Sequence, residues 1–141
     1  IDRAVDRSRL EDKLGFRIRM AERAIYKLFI LNAGMTPVQY SLFALVADNE
    51  GMPQGILGEA LNLDRASTMT VMDKIEKAGL VERRKSLEDR RRHAMYLTAK
   101  GRKEIVRIEK KVRQTDDQFK QQLGDVQLQE LLRCLDLIRR D

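Results

Sequence analysis

The period of the apolar residues changes after Gly79 and changes back at Thr98, and this limits the folds open to the chain more than any other feature. Before Gly79 the apolar side chains recur at helical spacing. Leu80-Val81-Glu82-Arg83-Arg84-Lys85 and His93-Ala94-Met95-Tyr96-Leu97 read instead as two short strands around a charged loop, Ser86-Leu87-Glu88-Asp89-Arg90-Arg91-Arg92. From Thr98 the helical spacing returns. The expected class is mainly α with one two-stranded β-hairpin.

The helical segments carry their own start and stop signals. Residues 9–33 place Leu10, Leu14, Ile18, Ala21, Ile25 and Leu28 along one long helix, and Asn32-Ala33-Gly34 supplies its stop. Thr36-Pro37-Val38-Gln39 predicts a helix to about Asp48, because Thr36 caps, Pro37 suits the first turn and Gln39 completes a capping box. That helix packs Tyr40, Phe43, Leu45 and Val46 in varying degree, and Asn49-Glu50-Gly51 ends it. A short helix over 53–61 turns Ile56, Leu57 and Leu61 inward. Asn62 stands where a left-handed residue is expected, and Asp64 caps a further helix through Ala78, closed by Gly79. Thr68, Val71, Met72 and Ile75 form its buried stripe, with Arg65, Ser67, Met69, Thr70, Lys74 and Lys77 on the opposite face. Two short helices joined by a tight turn and followed by the hairpin read as a winged helix–turn–helix. Thr98 then caps a long helix through Leu123, Gly124-Asp125 breaks it, and a last helix carries Val126, Leu128, Leu131, Leu132, Leu135 and Ile138.

Composition bears on partners. At 141 residues the chain is one domain, and 35% charged with 5% aromatic residues is lean for a compact monomer. It suits long helices that complete their burial against a partner. The formal charge is +6 and sits unevenly. Residues 80–102 hold eight Lys/Arg against three Asp/Glu, whereas residues 34–79 hold three against six. A basic excess in one stretch points to a polyanion, or else to a solvated charge run. The single cysteine, Cys134, excludes an internal disulfide and fits a reducing, cytoplasmic setting. The longest apolar run, Leu42 to Ala47, is too short to cross a membrane, and nothing resembles a signal peptide. No Gly-rich phosphate loop, Ser/His/Asp set or ligand cluster is present, so no catalytic residue, metal or cofactor is expected. His93, the one histidine, has no second ligand spaced to help it.

Several motifs in this order carry a resemblance. Thr36-Pro37-x-Gln39 opens a helix, Leu61-Asn62-Leu63-Asp64-Arg65 leads into the exposed polar helix, and Ile75-Glu76-Lys77-Ala78-Gly79-Leu80-Val81-Glu82-Arg83 ends it. The most specific piece is Asp89-x-Arg91-x-x-x-Met95-x-Leu97-Thr98, followed by Gly101. Over residues 36–101 the chain resembles the MarR family of dimeric bacterial regulators. The resemblance implies a single domain, with a winged lobe over about 36–101 and dimerisation helices over about 9–33 and 102–141. Leu10, Leu14, Leu131, Leu135 and Ile138 would lie between two copies of the chain.

It also implies a homodimer that binds double-stranded DNA at a pseudo-palindromic operator, more often as a repressor. Gln54, Lys74, Lys77, Arg83 and Arg84 would meet phosphates, and Ser67, Met69 and Thr70 base edges, with Arg65 reaching either. In the wing loop Asp89, Arg90 and Arg91 complete the set, Arg91 entering the minor groove with Asp89 orienting its guanidinium. Thr70 stands where many relatives have Arg, and Met69 where a small hydroxyl residue is common, which shifts the expected preference toward thymine methyls and shape. The alternative is that both merely cover helix surface. A small anionic aromatic effector is the expected ligand, at Arg17, Arg19, Arg23, Tyr26, Tyr40 and Phe43. Alternatively those arginines are solvated or pair with Glu11 and Glu22. For function as a whole, the alternative is a nonspecific architectural DNA-binding dimer, recognisable by a steep salt dependence with no preferred duplex.

Overall fold

A computed structural model describes residues 4–89 and 91–140. The first helical segment is divided where one long helix is expected. A single turn, α1 (Ser8–Glu11), is followed by α2 (Leu14–Ala33), with Lys13 extended between them. Asp12 and Gly15, both weak helix formers, flank the break. Gly34, left-handed at φ +76°, stops α2 and returns its N–H to the Ile30 carbonyl.

The next helix, α3 (Pro37–Asp48), begins as its sequence requires. Thr36 Oγ1 accepts from the Gln39 N–H, and the Gln39 side chain accepts from the Thr36 N–H at 2.9 Å. Leu42, Phe43 and Val46 on α3 are fully buried, whereas Tyr40 and Leu45 are only half-buried. Asn62 is left-handed (φ 55°) between α4 (Gln54–Glu59) and α5 (Arg65–Lys77), and Asp64 caps α5 through the Ser67 N–H. The two helices meet closely at Gly58. A β-carbon there would lie 2.0 Å from Thr68 Oγ1, so this turn geometry requires glycine.

Strands β1 (Val81–Lys85) and β2 (His93–Leu97) pair antiparallel from Val81↔Leu97 to Lys85↔His93. The other edge of β2 is also used: the Gly51 N–H donates to the Met95 carbonyl and the Met95 N–H to the Met52 carbonyl. The wing is thereby stitched to the turn between α3 and α4. Phe29, Leu42, Phe43, Leu57, Met72, Ile75, Val81, Met95, Leu97 and Ile108 share one core beneath it.

Thr98 caps the long helix α6 (Ala99–Leu123), and Gly124 separates it from α7 (Asp125–Ile138). Asn32 on α2 donates to Thr115 on α6 at 2.9 Å, tying the two long helices together. The apolar stripe of α2 stays at the surface, with Leu14 65% and Leu31 79% exposed, and α7 buries none of its residues within the chain.

Glu50 joins three elements. Its carboxylate accepts from the Leu97 N–H at 2.8 Å and from Arg102 on α6 at 2.8 and 3.0 Å. The Leu97 N–H, and after it Arg102, hold the Glu50 pKa below the ordinary value. A lowered folded-state pKa stabilises the fold above the unfolded carboxylate range, and that contribution is lost as pH falls through the folded value. Glu50→Gln should therefore cost roughly 1 kcal/mol at neutral pH. In denaturant titrations the difference from the unaltered protein should close as pH falls through the lowered Glu50 pKa, and a difference independent of pH would remove this role.

Candidate nucleic-acid interface

The exposed face of α5 is the centre of the candidate interface. Arg65, Ser67, Met69, Thr70, Lys74 and Lys77 all stand on it in solvent, with Met69 46% exposed. Capping by Asp64 leaves the first turn rigid, and hydrogen bonds from Ser67 hold the Asp64 carboxyl below its usual pKa. Thr70 Oγ1 donates to the Ala66 carbonyl at 2.9 Å, so its hydroxyl proton is spent within the helix. Its methyl and a hydroxyl lone pair remain to face a partner. Gln54 lies in the first turn of α4, half-buried, and its Oε1 is shut from solvent without a hydrogen-bond partner among the described residues.

The wing departs from expectation in how its cations are held. Arg83, read as a free phosphate contact, is engaged by Asp73 and lies 3.4 Å from Glu76, both on α5. Arg84 stacks on the Tyr96 ring at 4.3 Å while pairing with Glu82. Asp89 does not orient the Arg91 guanidinium. One of its oxygens accepts the Arg91 backbone N–H at 3.0 Å, and the other lies 3.8 Å from Arg92 Nε. The correction is one of geometry: a short carboxylate beside a closed turn reaches the backbone two residues on before it reaches a long side chain. The Ser86 N–H donates to the Arg92 carbonyl at 2.9 Å, closing the loop and leaving Arg91 in solvent. Arg90 lies outside the described residues. Sequence reasoning passed over Lys85, exposed at the distal end of β1, and Leu87, 99% exposed at the wing tip. Their position beside the basic run was the available signal.

The proposed effector residues are only partly brought together. Arg17, Arg19, Arg23 and Tyr26 are exposed on α2, and Arg17 donates to the Glu11 carbonyl. The Glu11 carboxylate is taken by Arg7 at 3.2 Å instead of by an α2 arginine. Phe43 is a correction: it is 0% exposed in the core, because α3 turns it under the wing instead of into a crevice. Tyr40 packs against Phe29 at 5.6 Å and donates to Glu109 at 3.1 Å. Burial first, and Glu109 second, push its pKa up to about 12. A cleft of about 210 Å³ between α3 and α6 is lined by Ala44, Ala47, Asp48, Ile105, Val106 and Glu109, an acidic lining with no α2 arginine. Among the described residues no three His, Cys, Asp or Glu side chains converge as metal ligands, and no single helix is long and apolar enough to cross a membrane.

Residues 35–93 match the family model described as the MarR family. A putative transcriptional regulatory protein for the hcr operon of Thauera aromatica is 32% identical over 132 residues, covering 91% of this chain and 80% of that one. The chain belongs to the MarR family. MarR proteins are transcriptional regulators and not enzymes, consistent with the absence of a catalytic constellation in the sequence. The MarR-like repressor CouR, solved bound to a 23-mer DNA duplex, matches 98% of this chain and 100% of its own with a TM-score of 0.88 at 29% identity. CouR bound to p-coumaroyl-CoA matches 98% and 99% with a TM-score of 0.89 at 27% identity. The match over nearly the whole chain covers α2, α6 and α7 as well as the winged lobe, which the sequence motifs alone did not reach.

Proposed function

We propose that this MarR protein binds double-stranded DNA sequence-specifically as a homodimer and represses transcription in the cytoplasm until a small molecule releases it. The observation that carries the reading is the likeness, over the full chain, to CouR seated on a DNA duplex. The exposed, partly basic face of α5 beside a wing with Arg91 at its tip supports the same reading. The winged lobe spans about 36–101, with phosphate contacts from Gln54, Lys74 and Lys77, base contacts from Ser67, Met69 and Thr70, and Arg65 reaching either. Dimerisation rests on the apolar faces that α2 and α7 leave uncovered, where Leu14, Leu131, Leu135 and Ile138 are exposed. Leu10 continues that face on α1. An effector reading draws on CouR with p-coumaroyl-CoA, whose acyl group is aromatic and whose coenzyme is anionic. The open arginines of α2 supply the matching charge.

Selection from a random duplex pool at near-physiological salt should enrich an inverted repeat with half-sites about one helical turn apart. Retention without an enriched sequence would instead favour an architectural binder. On the enriched operator, Arg91→Ala should weaken binding by roughly 1–3 kcal/mol. Unchanged affinity in a fluorescence titration would take Arg91 out of the site. Leu135→Glu should shift the protein to monomer in sedimentation and abolish operator binding, and a persistent dimer would refute this interface. For the effector, Arg17→Ala should raise the concentration of an aromatic acyl-CoA needed to release operator while leaving DNA affinity intact. Normal release would sink the α2 site.

A further inference from the structure

We infer that Arg83 is a positioning residue, a strut that fixes the wing against the recognition helix, and not a contact to DNA. This rests on the reading of the protein as an operator-binding regulator and assigns a different task to a residue that reading would place on a phosphate. Arg83 lies in mid-β1, opposite the fully buried Met95 of β2. Its side chain crosses to α5, where Asp73 receives Nη2 and Glu76 Oε2 stands 3.4 Å from Nε. Asp73 and Glu76 are one helical turn apart on one face, the spacing that lets a single guanidinium fork reach both. Asp73 also lies one turn after Met69 and Thr70, so the strut is anchored in the part of α5 that carries its reading face.

Accessibility and charge both argue against a phosphate contact. The Arg83 side chain is 24% exposed, against 58% for its neighbour Arg84, and its Nε is shut from solvent without a hydrogen bond. Two carboxylates surround one guanidinium, so the cluster offers no net positive field to a phosphate. Releasing the guanidinium to DNA would strand two carboxylates beside a polyanion. What the cluster does supply is a fixed angle between hairpin and helix. The backbone bonds of Gly51, Met52 and Leu80 hold the base of the two-stranded hairpin, and Arg83 adds the ion pairs that tie β1 to α5 itself. A protein that reads one groove with α5 and another with the wing needs that angle held before it meets DNA, because ordering it afterwards would cost affinity.

The test pairs Arg83→Lys, which keeps the charge but cannot fork to both carboxylates, with Arg83→Gln and the exchange Arg83→Glu/Asp73→Arg. For a strut, Arg83→Lys should lower operator affinity about tenfold, leave a random duplex unchanged, and be mirrored by Arg83→Gln. Its slope of log affinity against log salt should match that of the unaltered protein, and the exchange should recover most of the loss. A phosphate contact gives the opposite pattern: Arg83→Lys stays near the unaltered protein, while Arg83→Gln weakens every duplex and flattens the slope by about 0.9. That pattern, or no effect of either variant, overturns the inference. Hydrogen exchange provides a readout free of DNA. Wing amides should open faster in Arg83→Lys while those of α3 and α6 do not change, and equal protection throughout would also overturn it. If the unaltered protein selects no operator, the function proposed above has failed, and the hydrogen-exchange measurement alone decides the strut.

Discussion

Much of this structure turns on how closely α6 approaches the carbonyl of Leu80. The Thr98 N–H donates to that carbonyl at 3.1 Å, the Thr98 hydroxyl donates to the Gly79 carbonyl, and a β-carbon on Gly101 would lie 2.0 Å from Leu80 O. Four elements meet there: α5 has just ended, β1 begins, β2 ends and α6 begins. Lys100 adds a bond to the Ala78 carbonyl at 2.9 Å, satisfying the C-terminus of α5 from the first turn of α6. With the chain entering and leaving the hairpin at one point, the register of β1 on β2 is set by the joint and not by the strands' own propensity. Glu50 closes the other side by holding the last residue of β2 and Arg102 together. The wing thus has a rigid base, and its direction relative to α6 is decided far from its tip.

The features of the fold that are local in the chain were legible from the sequence. Thr36 with Gln39, Asp64 and Thr98 each signal through a side chain that bonds backbone within a few residues, Asn62 signals through its tolerance of left-handed backbone, and each does so in the structure. The change of period at Gly79 was equally visible, since it needs only neighbouring residues. What could not be seen is set by placement in space. The stitching of β2 to Gly51 and Met52 uses backbone groups without any sequence mark. Phe43 was legible as a packed residue of α3, but the completeness of its burial, which leaves none of it for a crevice, was not. The break at Lys13 was local but weakly marked, because Asp12 and Gly15 lower helix propensity only slightly against a strong apolar stripe.

Charge shows the same division between composition and placement. Residues 80–102 read as a strongly basic stretch, yet most of its cations already have work inside the fold. Arg83, Arg84, Arg92 and Arg102 each face a carboxylate, and Lys100 caps a helix. Among the described residues Lys85 and Arg91 of this stretch have no such partner. Counting charge therefore overstates the field that the wing presents to solvent. The paired cations are not equal, however. Arg84 and Arg92 are more than half exposed, and surface pairs of that kind hold by about 1 kcal/mol or less, so a phosphate can compete for them at little cost. Arg83 is held by two carboxylates in a partly desolvated pocket, where losing its partners costs more than a new contact returns. Burial, more than sequence position or sign, thus separates the cations that shape the wing from those free to meet a polyanion.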